Sequence, residues 1–101
     1  IKDRCIAAKL ISPAHENVFH VCPFLTPKRD QLKAFLAENG VGTKIHYFRP
    51  PYLQPCYPEM NHLEFPVAKR IADEELSLPC NSSLNDEDII RVSKLINQFL
   101  V

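Results

Sequence analysis

Between Gly42 and Tyr57 the sequence GTKIHYFRPPYLQPCY gathers one histidine, three tyrosines, one lysine, one arginine and one glutamine among rigid prolines. Histidine and tyrosine exchange hydrogen bonds with hydroxyls and phosphate oxygens, and an arginine fork grips a diphosphate through two parallel bonds. Four prolines fall within residues 48–62. That density forbids a regular helix or a central strand and predicts a long, stiffened surface loop. Long irregular loops in compact domains concentrate function, and a backbone fixed in advance lowers the ordering cost of binding. The same residue types also suit plain loop packing, so composition alone leaves both readings open.

Other candidate chemistry is weaker. His15 precedes the first expected strand and reads as solvated, His20 as a satisfied core residue within that strand, and His62 as the end of the loop. No two histidines stand four apart as a helical zinc motif requires. Asp86, Glu87 and Asp88 lack the spaced ligands and turn glycine of a calcium loop, and suit the positive end of a helix. The four cysteines, Cys5, Cys22, Cys56 and Cys80, form no C-x-x-C pair, so they read as reduced thiols packed as small hydrophobes. A glycine-rich phosphate loop, a G-x-S-x-G elbow and a paired Cys/His nucleophile are all missing. No metal ligand and no catalytic residue is expected.

Twelve basic and twelve acidic residues cancel, which argues against nucleic acid or an anionic membrane as the main partner. No apolar run approaches the roughly 20 residues needed to cross a bilayer. With charges scattered through it, Ile1–Ile11 does not read as a signal peptide, and the expected compartment is the cytoplasm. At 101 residues and 46% hydrophobic, the chain suffices for one domain with one core.

The elements that would position the loop follow from periodicity. Asn17–Leu25 is a nearly continuous apolar run, as in a strand covered on both faces, with Pro23 marking a bulge or an edge. Thr26-Pro27 opens a helix carrying Leu32, Phe35 and Leu36, and Gly40 closes it. Val41–Tyr47 alternates as a second strand. Phe65–Glu75 reads as a helix with Ala68, Ile71 and Ala72 inward, and residues 76–78 as a third strand. Asn85 caps a last helix whose stripe is Ile89, Val92, Ile96 and Phe99. The sum is an α/β two-layer sandwich: a small, mainly antiparallel sheet of about three strands with three helices.

Five blocks in register carry a resemblance. They are N-V-F-H-V (17–21), R-D-Q-L-K-A-F-L-A-E-N-G (29–40), G-V-G-T-K-I-H-Y (40–47), P-x-Y-L-Q-P-x-Y (50–57) and F-P-V-A-K-R-I-A-x-E-x-L-S-L-P (65–79). Together they resemble the C-terminal small domain of DegT/DnrJ/StrS-type sugar-nucleotide aminotransferases, which have the type I aminotransferase fold. The motif M-N-H-L-E-F-P (60–66) is most similar to the branch acting on dTDP-linked 3-keto-6-deoxyhexoses.

The resemblance implies a homodimeric parent enzyme that uses pyridoxal 5'-phosphate. The parent would move an amino group, usually from glutamate, to a nucleotide-linked keto-deoxysugar in lipopolysaccharide, surface-polysaccharide or other amino-sugar biosynthesis. In this family the Schiff-base lysine belongs to a large domain, expected to precede Ile1. Residues 1–16 are then the end of a connecting helix and a loop, and 17–101 the small domain. The fragment alone is expected to bind no cofactor, to be inactive, and to expose an apolar patch where the large domain docks.

The I-H-Y element places His46 and Tyr47 at the sugar nucleotide. Beyond it the family pattern runs roughly P-x-P-x-H-L-Q, whereas Phe48 stands here for a proline and Tyr52 for the second histidine. A tyrosine still donates a hydrogen bond but carries no charge near neutral pH. Tyr52 therefore joins the expected substrate-binding set, as does Arg49, added on charge and location as a diphosphate contact. The alternative is a freestanding α/β ligand-binding or regulatory module without transaminase activity.

Overall fold

The computed structural model describes residues 20–100. The expected connecting segment, Cys5 and His15 lie outside the described residues. Two short strands, β1 (Cys22–Leu25) and β2 (Glu75–Leu78), pair antiparallel, with Phe24 opposite Leu76 and Pro23 opposite Ser77. Three helices accompany them: α1 (Arg29–Glu38), α2 (Pro66–Glu74) and α3 (Asp86–Leu100).

Alternation along β2 sorts its side chains onto two faces. Leu76 joins Phe24, Leu32, Leu36, Val41 and Ile96 in the buried cluster, so α1 and α3 cover that face. Glu75 and Ser77 point to the opposite face, yet both are buried. The second expected strand, Val41–Tyr47, does not form. It is reduced to one antiparallel bridge, in which Lys44 N–H donates to the Ser77 carbonyl (3.2 Å) and Ser77 N–H to the Lys44 carbonyl (2.7 Å).

This bridge explains why Pro23 is tolerated. Ser77 turns both of its backbone groups toward Lys44, so the Pro23–Ser77 pair makes no ladder bond and the proline forfeits none to β2. Among the described residues the sheet has two strands, and the proline sits beside β2 without the expected bulge. His20 is corrected as well. It lies exposed ahead of β1 and is no core residue, because the strand starts at Cys22.

Local chemistry sets the helix ends. Thr26 Oγ1 accepts the Lys28 N–H (3.2 Å), which organises a turn before α1. At its other end Gly40 takes φ +77°, the Gly40 N–H donates to Ala37 O (3.0 Å), and the Val41 N–H donates to Leu36 O (2.8 Å). That is a Schellman ending, with Val41 folded back beside Leu36 in the core. Asn85 caps α3 reciprocally: its Oδ1 accepts the Asp88 N–H (2.8 Å), and Asp88 Oδ2 accepts the Asn85 N–H (3.1 Å).

The helix stripes are shallower than the periodicity suggests. On α3 Ile96 is buried and Val92 and Phe99 are half-buried, while Ile89 is exposed. On α2 only Ala72 is buried, Ala68 is half-buried and Ile71 borders on exposed. The Cys56 thiol is also exposed, against the expectation that all the cysteines pack as core; Cys22 and Cys80 are half-buried.

Candidate functional site

The proline-rich stretch is a built loop. Two single 3-10 turns, Pro51–Leu53 and Pro58–Met60, fold it, each with proline at its start. Asn61 Nδ2 then ties it together by donating to the carbonyls of Tyr52 (2.8 Å), Tyr57 (3.1 Å) and Gln54 (3.3 Å). Gln54 Nε2 donates to Arg49 O (2.8 Å). The amide braces the loop from one point, reaching the Tyr52 carbonyl and sharing the Gln54 and Tyr57 carbonyls with the Tyr57 and Met60 N–H groups.

The structure divides the four expected substrate residues into two settings. His46 is half-buried and borders a cleft of about 500 Å³ lined also by His20, Lys44, Ser77 and Asn81. Tyr47 and Arg49 border a neighbouring groove of about 230 Å³ with Pro50, Ala68 and Ile71. The His46 and Tyr47 rings meet edge to face at 5.3 Å, which joins the two concavities at one point. Tyr52 sits apart: its ring is buried, edge-on to Phe65 at 5.0 Å, in the packing beneath the loop. Its hydroxyl has no hydrogen-bond partner among the described residues and is not buried, so the tip reaches the surface.

Beneath His46 lies a polar cluster that the sequence reading passed over. Glu75 Oε2 accepts the His46 backbone N–H (2.6 Å), and Glu75 Oε1 accepts the Ser77 hydroxyl (2.5 Å). Ser77 Oγ in turn meets His46 Nδ1 at 2.8 Å. The sequence pattern reads residues 76–78 as a short apolar strand and Glu75 as the end of the preceding helix, whereas Glu75 opens β2. The overlooked signal is the alternation E-L-S-L, which sets two polar residues on one strand face.

Arg29 anchors the same region from below. It is 6% exposed, donates from Nη1 to Ala72 O (2.7 Å) in the last turn of α2, and pairs through Nε with Asp30 (2.7 Å). A cation there complements the helix dipole. The guanidinium carbon also stands 5.9 Å from the centroid of the exposed Phe48 ring, within cation–π range.

The surface around this point is apolar. Tyr47, Phe48 and Val67 are 73%, 68% and 72% exposed, and Val67 and Ile71 stand i, i+4 on one face of α2. Among the described residues no helix is long and apolar enough to cross a membrane, and no group of His, Cys, Asp and Glu is arranged to hold a metal ion.

A small α/β domain presenting a histidine–tyrosine pair between two concavities, on a proline-stiffened loop, is the class that fold and site define. The model of the DegT/DnrJ/EryC1/StrS aminotransferase family matches residues 5–97, and the chain belongs to that family. It is 29% identical over 98% of its length to a dTDP-3-amino-3,6-dideoxy-alpha-D-galactopyranose transaminase of Aneurinibacillus thermoaerophilus, covering 27% of that protein. A pleiotropic regulatory protein of Geobacillus stearothermophilus is 39% identical over 82% of the chain, which covers 23% of that relative. A solved DegT DnrJ EryC1 StrS aminotransferase from Brucella abortus superposes with TM-score 0.79 at 27% identity, over 97% of this chain and 26% of that one. The chain thus spans about a quarter of the length of the relatives it matches.

Aminotransferases of this family imply pyridoxal phosphate on a lysine. A Schiff-base lysine needs a desolvated setting. Here Lys28, Lys44, Lys69 and Lys94 are exposed, and the half-buried Lys33 donates to Thr43 O (3.4 Å). The described residues do not fit a cofactor-holding role by themselves.

Proposed function

We propose that this chain is the C-terminal small domain of a pyridoxal-phosphate-dependent transaminase that aminates a nucleotide-linked keto-deoxysugar. The observation that carries the reading is the match of nearly the whole chain to a sugar-transaminase family whose members are about four times as long. A dTDP-linked 3-keto-6-deoxyhexose is the preferred substrate class, supported by the relative named for a dTDP-3-amino-3,6-dideoxyhexose and by the 60–66 motif. A second relative named for a dTDP-3-amino-3,4,6-trideoxyhexose, 29% identical over 93% of the chain, points the same way. Glutamate is the proposed donor, a cytoplasmic homodimer the proposed assembly, and lipopolysaccharide or another amino-sugar glycoconjugate the proposed end use.

In this reading the chain's residues bind and orient; they do not form the cofactor bond. His46 and Tyr47 meet the sugar nucleotide, Arg49 contacts its diphosphate, and the Tyr52 hydroxyl adds a donor from the loop. The apolar face of Tyr47, Phe48, Val67 and Ile71 packs against the large domain, consistent with an exposed patch beside the site. The cofactor, where bound, supplies the amino-group transfer itself.

Two experiments test this. A continuous reading frame upstream of the Ile1 codon that encodes a large α/β domain with the Schiff-base lysine is expected. Incubating the intact protein with glutamate and dTDP-keto-deoxyhexoses should yield the amino sugar, detected by mass. A second reading, a regulatory module without transaminase activity, is favoured by the regulatory name of the 39% identical relative. A nearby start codon, or an upstream frame lacking that lysine, would favour it and end the enzyme reading.

A further inference from the structure

The cluster beneath His46 has a proton logic that one hydroxyl decides. Both carboxylate oxygens of Glu75 act as acceptors, Oε2 for the His46 main-chain N–H (2.6 Å) and Oε1 for the Ser77 hydroxyl (2.5 Å). A serine has one proton to give. Once it is committed to Glu75, the 2.8 Å contact between Ser77 Oγ and His46 Nδ1 requires the proton to sit on Nδ1. The neutral ring then carries a bare lone pair on Nε2. That atom has no partner among the described residues and is not buried, and the ring borders the cleft shared with Lys44 and Asn81.

Each part of the relay is held rigidly. Glu75 and Ser77 are 2% and 5% exposed, and their i, i+2 spacing on β2 points both side chains to one face. The Lys44–Ser77 bridge fixes the strand against the segment that carries His46. An apolar pair would pack there with less desolvation cost, so a buried carboxylate linked through the Ser77 hydroxyl to one imidazole calls for a role.

We propose that Glu75 and Ser77 are positioning residues that hold His46 as its Nδ1–H tautomer, so that Nε2 accepts a hydrogen bond from a hydroxyl of the bound ligand. This rests on the placement of His46 at the sugar nucleotide proposed above. An acceptor pairs with a sugar hydroxyl and is repelled by phosphate oxygens, which are themselves acceptors. The neutral ring therefore reads the sugar, and the diphosphate is left to cationic side chains.

The test is nitrogen-15 NMR of the histidine rings in the intact protein, at a pH well above the ordinary imidazole range. The His46 signals are assigned by their loss in His46→Ala. The expected pattern is a protonated Nδ1 and a bare Nε2; a dominant Nε2–H tautomer in the unaltered protein overturns the proposal, whatever any variant does. Ser77→Ala should move the tautomer ratio toward Nε2–H by roughly five- to tenfold, the worth of one hydrogen bond. Ser77→Thr, which keeps the hydroxyl, should restore it. An unmoved ratio in a folded Ser77→Ala also overturns the relay.

Ligand titration separates this from the underlying site reading. A shift of Nε2 with a dTDP-hexose but not with dTDP alone supports hydroxyl recognition. An equal shift with dTDP alone overturns it. No shift with either removes His46 from the substrate site, while the tautomer result continues to judge the relay.

Discussion

Residue by residue, the four expected ligand contacts are not equivalent. His46 is the one whose ring is oriented by buried partners, whereas Tyr47 and Arg49 are open to solvent. His46→Ala in the intact protein should therefore lower kcat/KM for the sugar nucleotide by at least about tenfold, the worth of one good polar contact. Cofactor loading, read by visible absorbance, should stay intact; unchanged sugar kinetics would remove His46 from the site. Tyr52 allows ring and hydroxyl to be separated. Tyr52→Phe keeps the buried ring against Phe65 and removes a tip with no partner among the described residues, so the thermal midpoint should hold while KM for the nucleotide sugar rises. Tyr52→Ala should cost about 3 kcal/mol of stability, since it empties a buried aromatic site. A rise in KM seen only in Tyr52→Ala would make Tyr52 a packing residue alone.

At the scale of elements, the sequence was most legible where one local rule was enough. Asn85 before three acids, Pro66 at a helix start and Gly40 at a helix end each did what their chemistry dictates. Val41–Tyr47 was misread because alternation reports faces but not partners, and among the described residues its strand-like pairing is limited to the bridge with Ser77. The loop's proline count announced its stiffness, but nothing local showed that Asn61 would gather its carbonyls. Glu75 and Ser77 were hidden for a similar reason: their significance depends on a histidine 29 residues away from Glu75 in sequence. Two substitutions check the local rules. Asn85→Ala should cost about 1 kcal/mol by denaturant unfolding, from the lost cap. Gly40→Ala should cost about 1–2 kcal/mol through the left-handed backbone alone, because an added Cβ there meets nothing within 4 Å. A neutral Gly40→Ala would mean that the helix ending relaxes to another conformation.

For the molecule as a whole, the distribution of apolar surface carries the argument. The core under the sheet is small, and several large side chains outside it, Phe48, Val67 and Phe65 among them, remain substantially exposed. Scattered apolar residues need no explanation, but Phe48 next to the histidine–tyrosine pair, with Val67 and Ile71 on one face of α2, is the pattern of a surface that meets another. Charged substitution on that face separates the proposed enzyme from a freestanding module. Val67→Glu removes no buried contact within this domain, so the 101-residue chain should change by no more than about 0.5 kcal/mol. In the intact protein the same change would place an unpaired carboxylate in the proposed domain interface, and a loss of about 2 kcal/mol or more is expected. Unfolding midpoints of the two forms, with and without the substitution, provide the comparison. Equal, small effects in both would leave Val67 on a free surface and shift the balance toward the regulatory module, because a small domain docked through this face could not bury a charge there without penalty.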